Sequence, residues 1–99
     1  MDIGTFNAAQ DSFEGYIKTL TLSGRTVFRP VEQKRSGNSP DFRVFLNGIE
    51  VGVAWNRMSQ EDNHYLRVNI DDPSLPSAIW ANMSLVDNQY RLIWTRDSN

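Results

Sequence analysis

Few residues in this 99-residue chain are of the types that carry out acid–base, nucleophilic or metal chemistry. It holds a single histidine, His64, and no cysteine, which removes thiolate ligands, a cysteine nucleophile and disulfides. His64 follows a polar stretch at residues 59–63, so we interpret it as a solvated loop residue. A Ser-His-Asp triad would also need its serine on a strained turn such as Gly-x-Ser-x-Gly, and the sequence holds no such motif.

Two acidic pairs, Asp71-Asp72 and Glu61-Asp62, are the candidates for binding a hard cation. The regularly spaced oxygen ligands of a calcium loop are missing. An Asp before Pro73 is typical of a turn, in which the carboxylate accepts hydrogen bonds from nearby backbone N–H groups. We therefore predict no metal site, no cofactor and no enzymatic activity.

Positive charge is concentrated in residues 18–43, which hold six Lys or Arg and two acidic residues, a balance of 6 − 2 = +4 in a chain of net charge −2. Aromatic residues would stack on unpaired bases beside these cations, as in small β-barrels that bind single strands. An isoelectric point near 5.2 argues against this hypothesis, so nucleic-acid binding is the alternative function. The candidate phosphate-binding residues are Arg25, Arg29, Lys34, Arg35 and Arg43, and the candidate stacking residues are Phe28, Phe45 and Trp55.

The strongest structural signal is Asn47-Gly48, because both residues tolerate the positive φ of a two-residue type I′ hairpin turn. This turn would place six apolar side chains on one face of the hairpin and leave a more polar face opposite. The predicted pairs are Leu46 with Ile49, Val44 with Val51 and Phe42 with Val53, and the other face receives Arg43, Phe45, Glu50 and Gly52.

The dominant period elsewhere is also two, with strands predicted at residues 3–6, 16–22, 26–31 and 65–70. Residues 33–40 and 59–63 are predicted loops, and residues 71–76 a tight loop or single helical turn. A second two-residue turn at Asp87-Asn88 predicts the pairs Leu85 with Tyr90, Met83 with Leu92 and Ala81 with Trp94. The expected fold is one mainly β domain over residues 1–99, a small antiparallel barrel or sandwich of seven to eight short strands built from hairpins.

Several side chains that favour protein interfaces fall on the faces opposite the predicted core. Trp and Arg are frequent hot-spot residues, and aromatic side chains beside arginines on a sheet face favour an interaction surface. A homodimer through that face, or burial of Trp80 in the core of a sandwich, would explain the same pattern. The candidate protein-binding residues are Phe45, Trp80, Ile93 and Arg91.

An ordered set of short motifs, covering nearly the whole chain, resembles the bacterial family catalogued as domain of unknown function 736. The motifs are Ile3-Gly4-Thr5-Phe6, Lys18-Thr19-Leu20-Thr21-Leu22, Pro40-Asp41-Phe42-Arg43-Val44, Gly52-Val53-Ala54-Trp55, Tyr65-Leu66-Arg67-Val68, Asp71-Asp72-Pro73-Ser74 and Leu92-Ile93-Trp94-Thr95-Arg96. The chain departs from the family pattern in carrying Trp80 at a position that is commonly smaller, and in a more basic loop after Val31. The resemblance implies a setting, plasmids and conjugative elements near transfer genes, and it implies no established activity.

The chain begins without the basic and apolar segments of a signal peptide, and it contains no run of about 18 apolar residues. We therefore expect a cytoplasmic protein without membrane contact. Our first functional hypothesis is a non-enzymatic protein of a mobile genetic element that binds a protein partner. That partner would belong to a host defence complex, as in anti-CRISPR-like inhibition, or to the conjugation machinery.

Overall fold

The computed structural model describes residues 2–32, 37, 39–73, 75 and 77–94, and the regular structure in these residues consists entirely of β-strands. The strands are β1 (Asp2–Ala9), β2 (Ser12–Lys18), β3 (Ser23–Pro30), β4 (Phe42–Leu46), β5 (Ile49–Met58), β6 (His64–Ile70), β7 (Ile79–Val86) and β8 (Gln89–Trp94). Each strand pairs antiparallel with the next along the chain, and β8 pairs with β1. The sheet therefore closes into an eight-stranded up-and-down barrel, which confirms the predicted fold class. None of the described residues lies in an apolar helix long enough to cross a membrane.

Both predicted two-residue turns have the backbone geometry that their residue types favour. Asn47 and Gly48 have φ values of 53° and 85°, and Asp87 and Asn88 have φ values of 52° and 68°. Two successive positive φ values define a type I′ turn. The pairing predicted for the last hairpin is confirmed over its whole length, from Leu85 opposite Tyr90 to Ala81 opposite Trp94.

The strand predicted at residues 16–22 is wrong in both of its boundaries. β2 begins at Ser12 and ends at Lys18. Residues 19–22 instead form a turn, in which Thr19 N donates to Leu22 O at 2.6 Å and Leu22 N donates to Thr19 Oγ1 at 3.0 Å. The threonine side chain offers the backbone a local hydrogen bond that competes with strand pairing, and Leu20 is left fully exposed.

The central hairpin keeps the predicted pairing only next to its turn. Leu46 lies opposite Ile49 as predicted, but Ile49 is 63% exposed and so is outside the core. The pairing then shifts by one residue at a β-bulge, where Val51 has no partner on β4. The other two predicted pairs are wrong, since Val44 lies opposite Gly52 and Phe42 opposite Ala54.

The bulge decides which face of the barrel receives Trp55. The predicted register would turn Val53 and Trp55 toward the core, because side chains alternate between faces along a strand. One additional residue reverses that alternation, so Ala54 is completely buried and Trp55 lies on the outer face. Gly52 allows the close approach of β5 to β6, since a Cβ atom there would collide with the carbonyl oxygen of Asn69.

The interior of the barrel is filled by apolar side chains from all eight strands, as expected for a barrel of this size. Phe6 and Phe28 pack edge to face with ring centroids 5.1 Å apart. Phe13 adds further edge-to-face contacts to Phe42 and Tyr90. The apolar side chains with no exposed area are Phe6, Ile17, Phe28, Val44, Ala54, Val68, Ile70 and Leu92. With the inside occupied in this way, candidate sites lie on the outer face and at the ends of the barrel.

Candidate functional site

Two tryptophans from strands that are not neighbours meet on the outer face of the barrel. Trp55 on β5 lies opposite Arg67 on β6, and Trp80 on β7 lies opposite Asn69 on β6. Strands β5 and β7 flank β6 and stand about 10 Å apart, twice the spacing of paired strands. The indoles bridge this distance by stacking above β6, with ring centroids 5.9 Å apart and planes inclined by 19°. Trp80 remains 37% exposed in this arrangement.

An arginine accompanies each indole. The guanidinium carbon of Arg67 lies 4.9 Å from the ring centroid of Trp80, and that of Arg57 lies 5.9 Å from the ring centroid of Trp55. Arg67 Nη1 donates to Asn82 Oδ1 at 3.0 Å, and Arg57 Nη1 donates to the carbonyl oxygen of Asn56 at 3.1 Å.

Both arginines thus interact with neutral groups, and no ion pair joins either of them to a carboxylate of the described residues. Their charges therefore stay available at the surface, where a guanidinium over an indole contributes about 0.5–1 kcal/mol. We call the set formed by Trp55, Arg57, Arg67 and Trp80 the tryptophan platform.

The four predicted protein-binding residues do not form one surface. Trp80 belongs to the tryptophan platform, and Ile93 lies beside it, opposite Asn82 on β7. Arg91 is occupied by an ion pair, with its Nη1 3.2 Å from Asp2 Oδ2 across the seam between β8 and β1. Phe45 lies opposite Glu50, which is five residues before Trp55 and therefore about 15 Å away along β5.

Three of the predicted nucleic-acid-binding residues lie together on the outer faces of β3 and β4. Arg29 lies directly opposite Arg43, and its guanidinium carbon is 5.7 Å from the ring centroid of Phe45. Arg25 is on the same face of β3, where its Nη2 lies 2.8 Å from Glu14 Oε1. Lys34 and Arg35 lie outside the described residues. The prediction that Phe28 stacks on bases is wrong, because Phe28 points into the barrel and has no exposed area.

His64 stands at the start of β6, beside an open polar cleft of about 750 Å³ at one end of the barrel. Its Nε2 lies 2.7 Å from Asn56 Oδ1. Within the described residues, no three side chains of His, Asp or Glu converge to hold a metal ion. At the acidic pair Asp71-Asp72 the chain makes a turn, with Leu75 N donating to Asp72 O at 2.8 Å.

Residues 2–97 match the family described as Protein of unknown function (DUF736). The chain belongs to this family. The match spans nearly the whole chain, in agreement with the resemblance seen in the sequence motifs, and the description assigns no activity. No curated protein and no solved structure matches the chain.

In this DUF736 protein the candidate-site residues that sequence reasoning missed are Arg57 and Arg67, and it did not place Trp55 beside Trp80. The sequence pointed to Trp55 only as a base-stacking candidate, and the predicted hairpin register turned it inward. Arg67 was not singled out, because its contacts depend on the pairing of β6 with β7. Arg57 was not singled out either, because it shares a face of β5 with Trp55. The sequence feature that could have indicated the outward position of Trp55 is Gly52, since a glycine inside a strand often marks a bulge.

Proposed function

We propose that this DUF736 protein is a non-enzymatic binding protein whose tryptophan platform docks an acidic surface of a protein partner. The observation that carries the proposal is the stack of Trp55 on Trp80 with a guanidinium over each ring. The barrel does not need these indoles in its core, which other side chains already fill.

The composition of the platform is that of an interface hot spot. Trp and Arg are the residues whose truncation most often costs more than about 2 kcal/mol of binding energy. Arg57 and Arg67 are pre-positioned by their hydrogen bonds to Asn56 and Asn82, so little side-chain entropy remains to be lost on binding. Ile93 extends the apolar area at the edge of the platform.

The positive charge of the platform indicates the charge of the partner surface. Two guanidiniums without a carboxylate among the described residues favour a surface that supplies Asp or Glu side chains. Charge complementarity of this kind fixes the orientation of a complex and raises the association rate. A second copy of the chain could supply such carboxylates from another part of its own surface. It is therefore the main competing partner for the platform.

Nucleobases are a poorer occupant for this surface. A base stacks on a free ring face, whereas Trp55 and Trp80 already face each other and each ring also has a guanidinium over it. Base stacking would therefore have to displace contacts that the free protein already makes. A protein surface can instead contact the ring edges and the outward guanidinium atoms without disrupting the stack.

The setting that the family resemblance implies suggests where the partner is found. Plasmids and conjugative elements meet host defence complexes in the cytoplasm and depend on a transfer machinery. We therefore propose a cytoplasmic protein of a mobile genetic element that acts on one of these assemblies, with inhibition of a defence complex as the first possibility to test.

Site-specific photo-crosslinking tests the proposal. The photoreactive residue p-benzoylphenylalanine is placed at Ile93, beside the platform, and in a matched control at Tyr16, an aromatic residue that is 65% exposed on the far strand β2. Both proteins are irradiated in a lysate of the organism that carries the gene. The Ile93 position is expected to capture one protein with an acidic surface, and the Tyr16 position is not.

The same crosslink is then repeated in proteins that also carry Trp80→Ala or Arg67→Gln. The proposal predicts that Trp80→Ala removes the crosslink, and that Arg67→Gln or added salt weakens it. A crosslink from Ile93 to a second copy of the chain, a crosslink from Ile93 to nucleic acid, or a protein crosslink from Ile93 that survives Trp80→Ala would each contradict the proposal.

A further inference from the structure

We infer that the outer faces of β3 and β4 form a second binding site, which takes the phosphate backbone of a single-stranded nucleic acid. The site consists of Arg25, Arg29, Arg43 and Phe45, and we call it the arginine face. It is separate from the tryptophan platform, and its argument does not depend on the protein partner proposed above.

The first observation is a pair of like charges that the sheet holds in direct opposition. Arg29 on β3 and Arg43 on β4 are cross-strand partners, and both side chains are exposed on the outer face. Cβ atoms of such partners stand about 4.5–5.5 Å apart, and like charges there destabilise a sheet. A bound phosphate between the two guanidiniums would turn this repulsion into attraction.

The second observation is a cleft next to this pair. It has a volume of about 400 Å³, its floor includes Val27 and Phe45, and Arg25 and Arg29 flank it. An apolar floor between two cations matches a nucleotide, whose base is flat and apolar on its faces and whose phosphate is anionic. Stacking of a base on an aromatic ring contributes to binding whatever the base, because every base has a flat π-face.

The carboxylates near the arginine face leave it available to an anion. Glu14 pairs with Arg25 at 2.8 Å and Glu50 with Arg43 at 3.8 Å, and all four side chains are between 45% and 64% exposed. Exposed ion pairs of this kind contribute little to stability, so a phosphate can replace the carboxylate as the partner of the arginine. Arg29 has its contact with Phe45 and no ion pair among the described residues.

Single strands are favoured over duplexes by the same geometry. The ring of Phe45 and the floor of the cleft can contact only bases whose faces are not stacked inside a helix. Each phosphate contact on a single strand lowers the slope of log K against log[salt] by about 0.7, where K is the association constant. Three contacts therefore predict a slope of about −2. This is equivalent to an affinity loss of about 20-fold between about 50 and 200 mM salt.

Fluorescence anisotropy of the full chain with labelled oligothymidine of about 16 nucleotides tests the site, since small barrels bind up to about that length. Arg29→Gln and Arg43→Gln are each expected to weaken binding by about fivefold to tenfold, the effect of one charged contact of about 1–1.4 kcal/mol. Each should also reduce the salt slope by about 0.7. Phe45→Ala should weaken binding without changing the slope, because it removes stacking and no charge.

One control matches the arginine variants. Arg91→Gln removes the same charge from the seam between β8 and β1, outside both proposed sites. It should bind the oligonucleotide as the wild type does. The inference is overturned if the wild type fails to bind, if a duplex of equal length binds as tightly, or if Arg91→Gln weakens binding as much as Arg29→Gln.

Discussion

Trp55 and Trp80 stand on strands separated by β6, and their indoles stack above it with centroids 5.9 Å apart. This contact exists because the β-bulge at Val51 turns Trp55 outward. A local irregularity of one hairpin thereby builds a surface from three strands.

The stack should be measurable as a coupling between its two rings. Trp55→Ala, Trp80→Ala and the double variant form a double-mutant cycle, with the free energy of unfolding measured by urea denaturation. We expect a favourable coupling of about 0.5–1.5 kcal/mol, the range for aromatic pairs. Additive effects of the two substitutions would show that the rings do not stack in solution.

The bulge should be intolerant of any side chain at its glycine. Gly52→Ala places a methyl group against the carbonyl oxygen of Asn69 and is expected to cost about 1–3 kcal/mol of unfolding free energy, as overpacking does. Gly37→Ala is the matched control, since a Cβ atom there meets no atom within 4 Å. Its effect should stay within about 0.5 kcal/mol. Equal effects at the two glycines would contradict the close approach of β5 to β6.

Two phenylalanines on neighbouring strands test the assignment of inner and outer faces. Phe28→Ala empties a completely buried position and should cost about 3–5 kcal/mol. Phe45→Ala removes a ring from the outer face, where only its contact with Arg29 and partial burial are lost, so a cost below about 1 kcal/mol is expected. Thermal or urea unfolding compares the two variants directly. A larger loss for Phe45→Ala would place that side chain in the core.

Arg29 and Arg43 should repel each other in the free protein. A double-mutant cycle with glutamine at each position measures the interaction free energy between the two arginines. It separates this energy from the contacts that they make with Phe45 and Glu50. We expect an unfavourable coupling of about 0.2–1 kcal/mol in low salt, and a smaller one at about 1 M salt, where the Debye length falls to about 3 Å. Zero or favourable coupling in low salt would remove the first argument for the arginine face.

Most of the barrel could be predicted from the sequence, because its hairpins carry local signals. Asn47-Gly48 and Asp87-Asn88 specify turns whose geometry follows from residue type, and alternation of apolar residues then indicates which face is buried. The end of β2 was not predictable in this way, since β-branched and apolar residues continue through Leu22 while the hydrogen bonds of Thr19 end the strand. The bulge in β5 could not be predicted either, because valine side chains are buried both in the predicted hairpin register and in the observed one.

The candidate site was predictable only in part. Trp80 and Ile93 could be assigned to the outer face, because the last hairpin is regular from its turn to its ends. Trp55 could not, because its face depends on a single additional residue in β5. The role of Arg67 arises from Trp80 and Asn82 on the neighbouring strand, and pairing between strands leaves no local pattern in the sequence. Arg57 contacts Trp55 and Asn56 on its own strand, so its role depends on the face that Trp55 takes.

The central claim is that the tryptophan platform binds a protein partner, and the most direct test is an affinity measurement with the purified partner that crosslinks from Ile93. Isothermal titration would compare the wild type, Trp80→Ala and the control Tyr16→Ala. We predict that Trp80→Ala binds at least about 30-fold more weakly, equivalent to the 2 kcal/mol of a hot-spot residue, while Tyr16→Ala binds as the wild type does. Equal affinity of all three proteins would contradict the claim.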